Sequence, residues 1–84
     1  MSKITVRYFA SIREAVGQGS EAVETAATTL GALRDELIGR GGPYAASLAR
    51  GRAVRMALNQ TLSDESATLA DGAEVAFFPP VTGG

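Results

Sequence analysis

The residues with the clearest capacity for chemistry are the last eight, Phe77, Phe78, Pro79, Pro80, Val81, Thr82, Gly83 and Gly84. Two aromatics run into two prolines, then two β-branched residues, then two glycines and a carboxylate. Proline fixes φ and has no amide hydrogen, so Pro79 and Pro80 cannot extend a sheet and favour an extended polyproline path. The residues from 79 to 84 span roughly 20 Å when extended, at about 3.3 Å per residue, enough to leave a domain and enter another protein. Gly83 and Gly84 carry no Cβ, so the last peptide fits a slot that rejects any side chain. A carboxylate becomes an acyl donor once one oxygen is made a leaving group, as in an acyl-adenylate formed on the α-phosphate of ATP. Gly-Gly alone reads first as a frayed terminus. The stiff spacer on an aromatic base is what favours an anchored arm.

The rest of the composition offers little chemistry of its own. With 84 residues the chain is one small domain, burying about 60 to 65% of its unfolded surface. There is no histidine and no cysteine, which removes the commonest general base, the thiolate nucleophile and the usual metal ligands. A net charge of −1 argues against binding driven by phosphate neutralisation. Arg50, Arg52 and Arg55 read as a solvated rim. Lys3 is the only lysine, so an activated carboxyl would meet few amines of its own chain. No apolar run suits a membrane span and no basic, apolar leader suits export; a reducing cytoplasm is the expected compartment. The chain reads as a protein acted upon.

Periodicity supplies the elements that must hold the arm. Alternation from Lys3 to Phe9 predicts a first strand with Ile4, Val6 and Tyr8 on one face. Ser11 to Gly17 fits one or two helical turns, capped by Ser11 and stopped by Gly17. Ser20 to Thr25 reads as a second strand. Thr28 or Thr29 caps a principal helix carrying Leu30, Leu33, Leu37 and Ile38, with Gly41, Gly42 and Pro43 as its stop. Tyr44 to Arg50 suits a short further helix. Ala53 to Leu58 alternates as a strand, with Val54 and Met56 as core and Asn59-Gln60 as its turn. Thr61 to Ala70 reads as a loop pinned by Leu62 and Leu69. Asp71-Gly72 is a tight turn launching the last strand, Glu74 to Phe78. The expected architecture is α+β: a mixed sheet of four to five strands with one principal helix on one face. The first and last strands are expected as central neighbours, and alternation puts one of Phe77 and Phe78 inside and the other outside.

The run from Leu69 to Gly84, together with Val6-Arg7-Tyr8-Phe9-Ala10, Ile12-Arg13-Glu14 and Ala57-Leu58-Asn59-Gln60, resembles the small sulfur-carrier subunits of molybdopterin synthase, in the MoaD/ThiS-type ubiquitin-like family. Ala73 departs from that family, which often has an acidic residue there. The resemblance implies a β-grasp fold over residues 1–84, with residues 79–84 as a flexible tail. It implies that an E1-like adenylating enzyme uses ATP to activate Gly84, and that a sulfur donor then converts it to a thiocarboxylate. Val81, Thr82 and Gly83 would accompany Gly84 into the large synthase subunit, where sulfur passes to cyclic pyranopterin monophosphate to build the molybdopterin dithiolene. Phe77, Phe78, Pro79 and Pro80 would bind the partner, in a heterotetramer of large and small subunits. No metal, permanent cofactor, nucleic acid or membrane is implied, and no catalysis by the chain alone. Two other classes fit the same residues: a carrier or protein modifier of another pathway, working by thiazole-type sulfur transfer or isopeptide conjugation, and a plain interaction domain with an inert tail.

Overall fold

The computed structural model describes residues 1–80. In chain order the elements are β1 (Ser2–Tyr8), α1 (Ala10–Val16), β2 (Ser20–Thr25), α2 (Leu30–Ile38), α3 (Gly42–Leu48), β3 (Arg55–Leu58), β4 (Thr61–Ser63) and β5 (Glu74–Phe78). The five strands form one sheet in the order β2-β1-β5-β3-β4. β1 and β5 are parallel, with Thr5 level with Glu74 and Tyr8 level with Phe77; the other pairings are antiparallel. This is the mixed β-grasp sheet expected, and the first and last strands are neighbours, with β5 in the middle.

The core lies between one sheet face and the helices. Ile4, Val6 and Tyr8 from β1, Val23 from β2, Met56 from β3, and Val75 and Phe77 from β5 are buried against Leu30, Leu33 and Leu37 of α2 and Leu48 of α3. Each side chain of this size contributes about 1.5–3 kcal/mol when fully buried. The spacing of the leucines on α2 is the helical repeat that the sequence displays. Thr29 caps that helix, its hydroxyl accepting from the Ala32 N–H at 3.2 Å.

Several boundaries differ from the sequence reading, each for a local reason. Helix α2 ends at Ile38, with Gly39 as its cap. Pro43 lies in the first turn of α3, where a missing N–H removes no helical hydrogen bond, so it starts a helix rather than stopping one. Phe9, not Ser11, is the cap residue of α1, while Gly17 closes it in the left-handed region as expected. Thr61–Ser63 is a strand rather than part of a loop. Asn59 and Gln60 both take positive φ, at 49° and 69°, the geometry of a two-residue hairpin turn. Leu62 is consequently 63% exposed and pins nothing, whereas Leu69 is buried as expected. Val54 precedes β3 and is only partly buried.

Candidate functional site

The arm is rooted in the middle strand of the sheet. β5 is hydrogen-bonded on both sides, to β1 and β3, and continues into Pro79 and Pro80, which lack the N–H needed to prolong the ladder. Residues Val81, Thr82, Gly83 and Gly84, which carry the tail and the reactive group in the sequence reading, lie outside the described residues.

Alternation in β5 resolves the two phenylalanines. Phe77 is 0% exposed and stacks on Tyr8, with ring centroids 6.3 Å apart. It fastens the strand and offers no surface to a partner, so the partner-binding expectation for Phe77 is corrected to a core role. Phe78 faces the other side of the sheet and is half-buried, as are Pro79 and Pro80.

That other side has no helix packed on it among the described residues. The strand registers assemble an apolar band there: Leu62 sits opposite Ala57, Ala57 opposite Ala76, and Phe78 opposite Arg55. Phe9 joins it at the end of β1, its N–H donating to the Phe77 carbonyl at 3.1 Å, with its ring under the Arg7 guanidinium at 5.4 Å. Phe9 and Leu62 are, apart from Met1, the large apolar side chains most exposed among the described residues. Neither was singled out as a contact residue from sequence; alternation places Phe9 opposite Tyr8, and Leu62 emerges only once β4 is seen to pair.

Beneath the sheet, a polar cluster ties β1, β2 and the helices. The Glu21 carboxylate accepts from the hydroxyls of Tyr8 and Tyr44, each at 2.8 Å, and from Arg40 at 3.0 Å. Burial alone would raise the Glu21 carboxyl, but the donors Arg40, Tyr8 and Tyr44 together hold it below its ordinary 4.5. Burial, reinforced by Glu21, pushes the Tyr8 phenol upward. These groups satisfy one another's hydrogen bonds and so tie β1 and β2 to α3 and the segment after α2.

A second network involves Arg34, a buried charge on α2. Its guanidinium donates to the carbonyls of Leu48, Ala49 and Arg52 and to Glu65, fixing the segment that leads into β3. The three arginines of the supposed rim diverge: Arg50 pairs with Asp35 and Glu65, Arg52 donates to the Ala46 carbonyl, and Arg55 flanks Phe78. A cleft of about 280 Å³ between α1, α3 and Pro79 is lined in part by Ser11, Ser47 and Arg52. Among the described residues no cluster of acids could hold a metal ion, and no helix is long and apolar enough to cross a membrane. The described part of the chain therefore presents a central strand that ends at Phe78, beside a sheet face that no described helix covers.

Comparison with known proteins gives the same picture. The molybdopterin synthase sulfur carrier subunit of Escherichia coli (strain K12) is 43% identical over 81 residues, covering 96% of this chain and 99% of that protein. The fold matches SAMP1 from Haloferax volcanii with a TM-score of 0.77 at 26% identity, over 99% of this chain and 100% of the other. It also matches a chain in the complex of subunits 1 and 2 of the molybdopterin-converting factor from Helicobacter pylori, with a TM-score of 0.67 at 29% identity, over 98% of this chain and 99% of that one. The residues from 6 to 84 match the ThiS family. With that match and a sheet whose central strand leads into Pro-Pro and a Gly-Gly end, the chain belongs to the ThiS family.

Proposed function

We propose that the chain is the sulfur-carrier subunit of a molybdopterin synthase and that its reactive atom is the carbonyl carbon of Gly84. A partner adenylating enzyme uses ATP to join the Gly84 carboxylate to AMP, and a sulfur donor displaces AMP to leave a thiocarboxylate. Gly83 and Gly84, then Thr82 and Val81 behind them, enter the large subunit, where sulfur passes to cyclic pyranopterin monophosphate to form the dithiolene. The chain supplies no acid, base or metal there, so the catalytic groups belong to the partners. The working form is a heterotetramer, and the compartment is the cytoplasm.

The observation that carries this reading is the junction at Phe78-Pro79. The middle strand of the sheet ends there, at the rim of a face that no described helix covers and that bears Phe9, Phe78 and Leu62. A stem fixed on both sides can present an extended arm at a defined place while the apolar face beside it docks on the large subunit; fixing the arm's root lowers the ordering cost of binding. The Helicobacter pylori complex of subunits 1 and 2 of the molybdopterin-converting factor supports assembly with a second, different subunit.

The test is intact mass after incubation with ATP, the adenylating enzyme and a sulfur source. Exchange of one oxygen for sulfur at Gly84 is expected, and conversion of the pyranopterin once the large subunit is added. A second reading, conjugation to other proteins, is suggested by the likeness to SAMP1 from Haloferax volcanii, named a small archaeal modifier protein; it would appear as a larger, isopeptide-linked adduct. An unchanged mass would leave only the inert interaction domain.

A further inference from the structure

Three arginines are matched by carboxylates of the chain itself: Arg40 by Glu21 at 3.0 Å, Arg50 by Asp35 at 2.9 Å, and Arg34 by Glu65 at 3.2 Å. Arg55 is different. It is exposed and takes part in none of the ion pairs among the described residues. Its place is set by β3: Met56, the next residue, turns into the core, so Arg55 turns to the face that no described helix covers, level with Phe78 on β5. Cross-strand neighbours on one face lie about 5 Å apart, so a partner that covers the Phe78 ring brings the Arg55 guanidinium into the same contact. Asp64 and Glu65, which share a groove with Arg55 and Leu62, are engaged elsewhere: Asp64 accepts from the Ser66 N–H at 2.9 Å, and Glu65 pairs with Arg34 and Arg50. Across β5, Arg7 lies over the Phe9 ring and stands 3.9 Å from the Glu74 carboxylate, beyond hydrogen-bond reach. The aromatic centre of the face is thus flanked by two positive charges, one loosely paired and one with no carboxylate among the described residues.

We propose that Arg55 is the polar anchor of the docking face, and that the large subunit covers Phe78 with a surface carrying a carboxylate for the Arg55 guanidinium. The inference rests on the reading of this face as the place where the large subunit docks. Its physical ground is desolvation. A guanidinium cannot lose its proton, so an apolar surface laid over Phe78 would strip water from a permanent charge, a strongly unfavourable step unless a counter-charge takes the water's place. A carboxylate meets the planar fork with two parallel hydrogen bonds. Aromatic residues beside an arginine are also the composition that dominates binding at the centre of interfaces. Both charges that flank Phe78 are positive, so the complementary surface is acidic there, and the attraction steers the encounter as well as holding the complex.

The experiment titrates the large subunit with the full chain by calorimetry at several salt concentrations. Wild type is compared with Arg55→Gln, Arg55→Glu and Arg55→Lys, and with Lys3→Gln, whose lost charge lies at the end of the sheet remote from Phe78. Arg55→Gln is expected to weaken binding about thirtyfold or more at low salt, and Arg55→Glu further still. Arg55→Lys keeps the charge but not the fork, and should fall between Arg55→Gln and wild type. Wild-type affinity should decline with salt more steeply than that of Arg55→Gln, and Lys3→Gln should bind as wild type does. Urea midpoints check that all the variants fold alike. Affinity of Arg55→Gln within about threefold of wild type, the scale of an exposed ion pair, overturns the proposal. So does a loss indifferent to salt, which means that carbonyls rather than a carboxylate receive Arg55, and so does an equal loss in Lys3→Gln, which means that net charge alone is at work. Phe78→Ala, measured in parallel, separates two kinds of failure. Undiminished affinity there shows that the large subunit docks elsewhere and removes the ground of the proposal; weakened binding by Phe78→Ala beside normal binding by Arg55→Gln leaves the docking face standing and overturns only the carboxylate.

Discussion

The Phe77 ring lies on the Tyr8 ring with centroids 6.3 Å apart and planes inclined by 17°, joining the first strand of the chain to the last. Tyr8 in turn meets Tyr44 of α3 edge-on at 6.1 Å, so the stack continues into the helical layer. Truncating Phe77 to alanine removes its ring from the middle of this column. Phe77→Ala should lower unfolding stability by about 3–5 kcal/mol, read from urea denaturation, and Phe77→Leu by distinctly less. A loss below about 1 kcal/mol, the scale of a surface change, would mean that the stack does not fasten β5.

Its neighbour Phe78 should behave in the opposite way. Phe78→Ala leaves the core intact but removes an aromatic from the uncovered face, so the urea midpoint should scarcely move. Affinity for the large subunit should fall about tenfold or more, as for a central aromatic contact, measured by calorimetry. Equal affinity for both proteins would place the docking surface elsewhere.

Deleting Gly84 isolates the chemistry from the fold. The circular dichroism spectrum and urea midpoint should match wild type, because the core ends with β5, whereas the oxygen-for-sulfur mass change should vanish. A truncated protein that still acquires sulfur would overturn the assignment of the reactive carbon.

The Glu21 cluster predicts an acid dependence with a definite sign. The native carboxyl is held below its ordinary 4.5, so folding favours the carboxylate. Its stabilising contribution is complete above that value and is lost as pH falls through the lower native one. The urea midpoint of wild type should therefore drop more steeply from about pH 5 to about pH 3 than that of Glu21→Gln. Parallel curves would show that Glu21 does not carry the acid sensitivity.

Much of this was legible before the structure because it depends on short-range pattern. The alternation in β1 and β5, the leucines of α2 and the Asp71-Gly72 turn each carry their own periodicity or turn chemistry. What escaped depends on residues far apart. Leu62 looked like an anchor because β4, only three residues long, shows no period until β3 lies beside it. Gly41 and Pro43 give the same letters for stopping one helix and starting the next. Arg34 drew no reading from sequence, because its burial depends on the distant carbonyls of Leu48, Ala49 and Arg52 that make it tolerable. Gly31 gave no sign of its constraint: a Cβ there would come within 3.2 Å of the Glu65 carbonyl oxygen. At the candidate site, the aromatic and proline root was readable as a unit, but which phenylalanine faced outward required the register of β5 on β1.

The central place of β5 also governs when the domain can come into being. A nascent chain halted before Glu74 has β1 and β3 with no strand to bridge them, since each pairs with β5 and not with the other. Folding of the whole sheet must therefore wait until Glu74–Phe78 has been made. The segment that completes the sheet is thereby the same one that leads directly into Pro79 and Pro80.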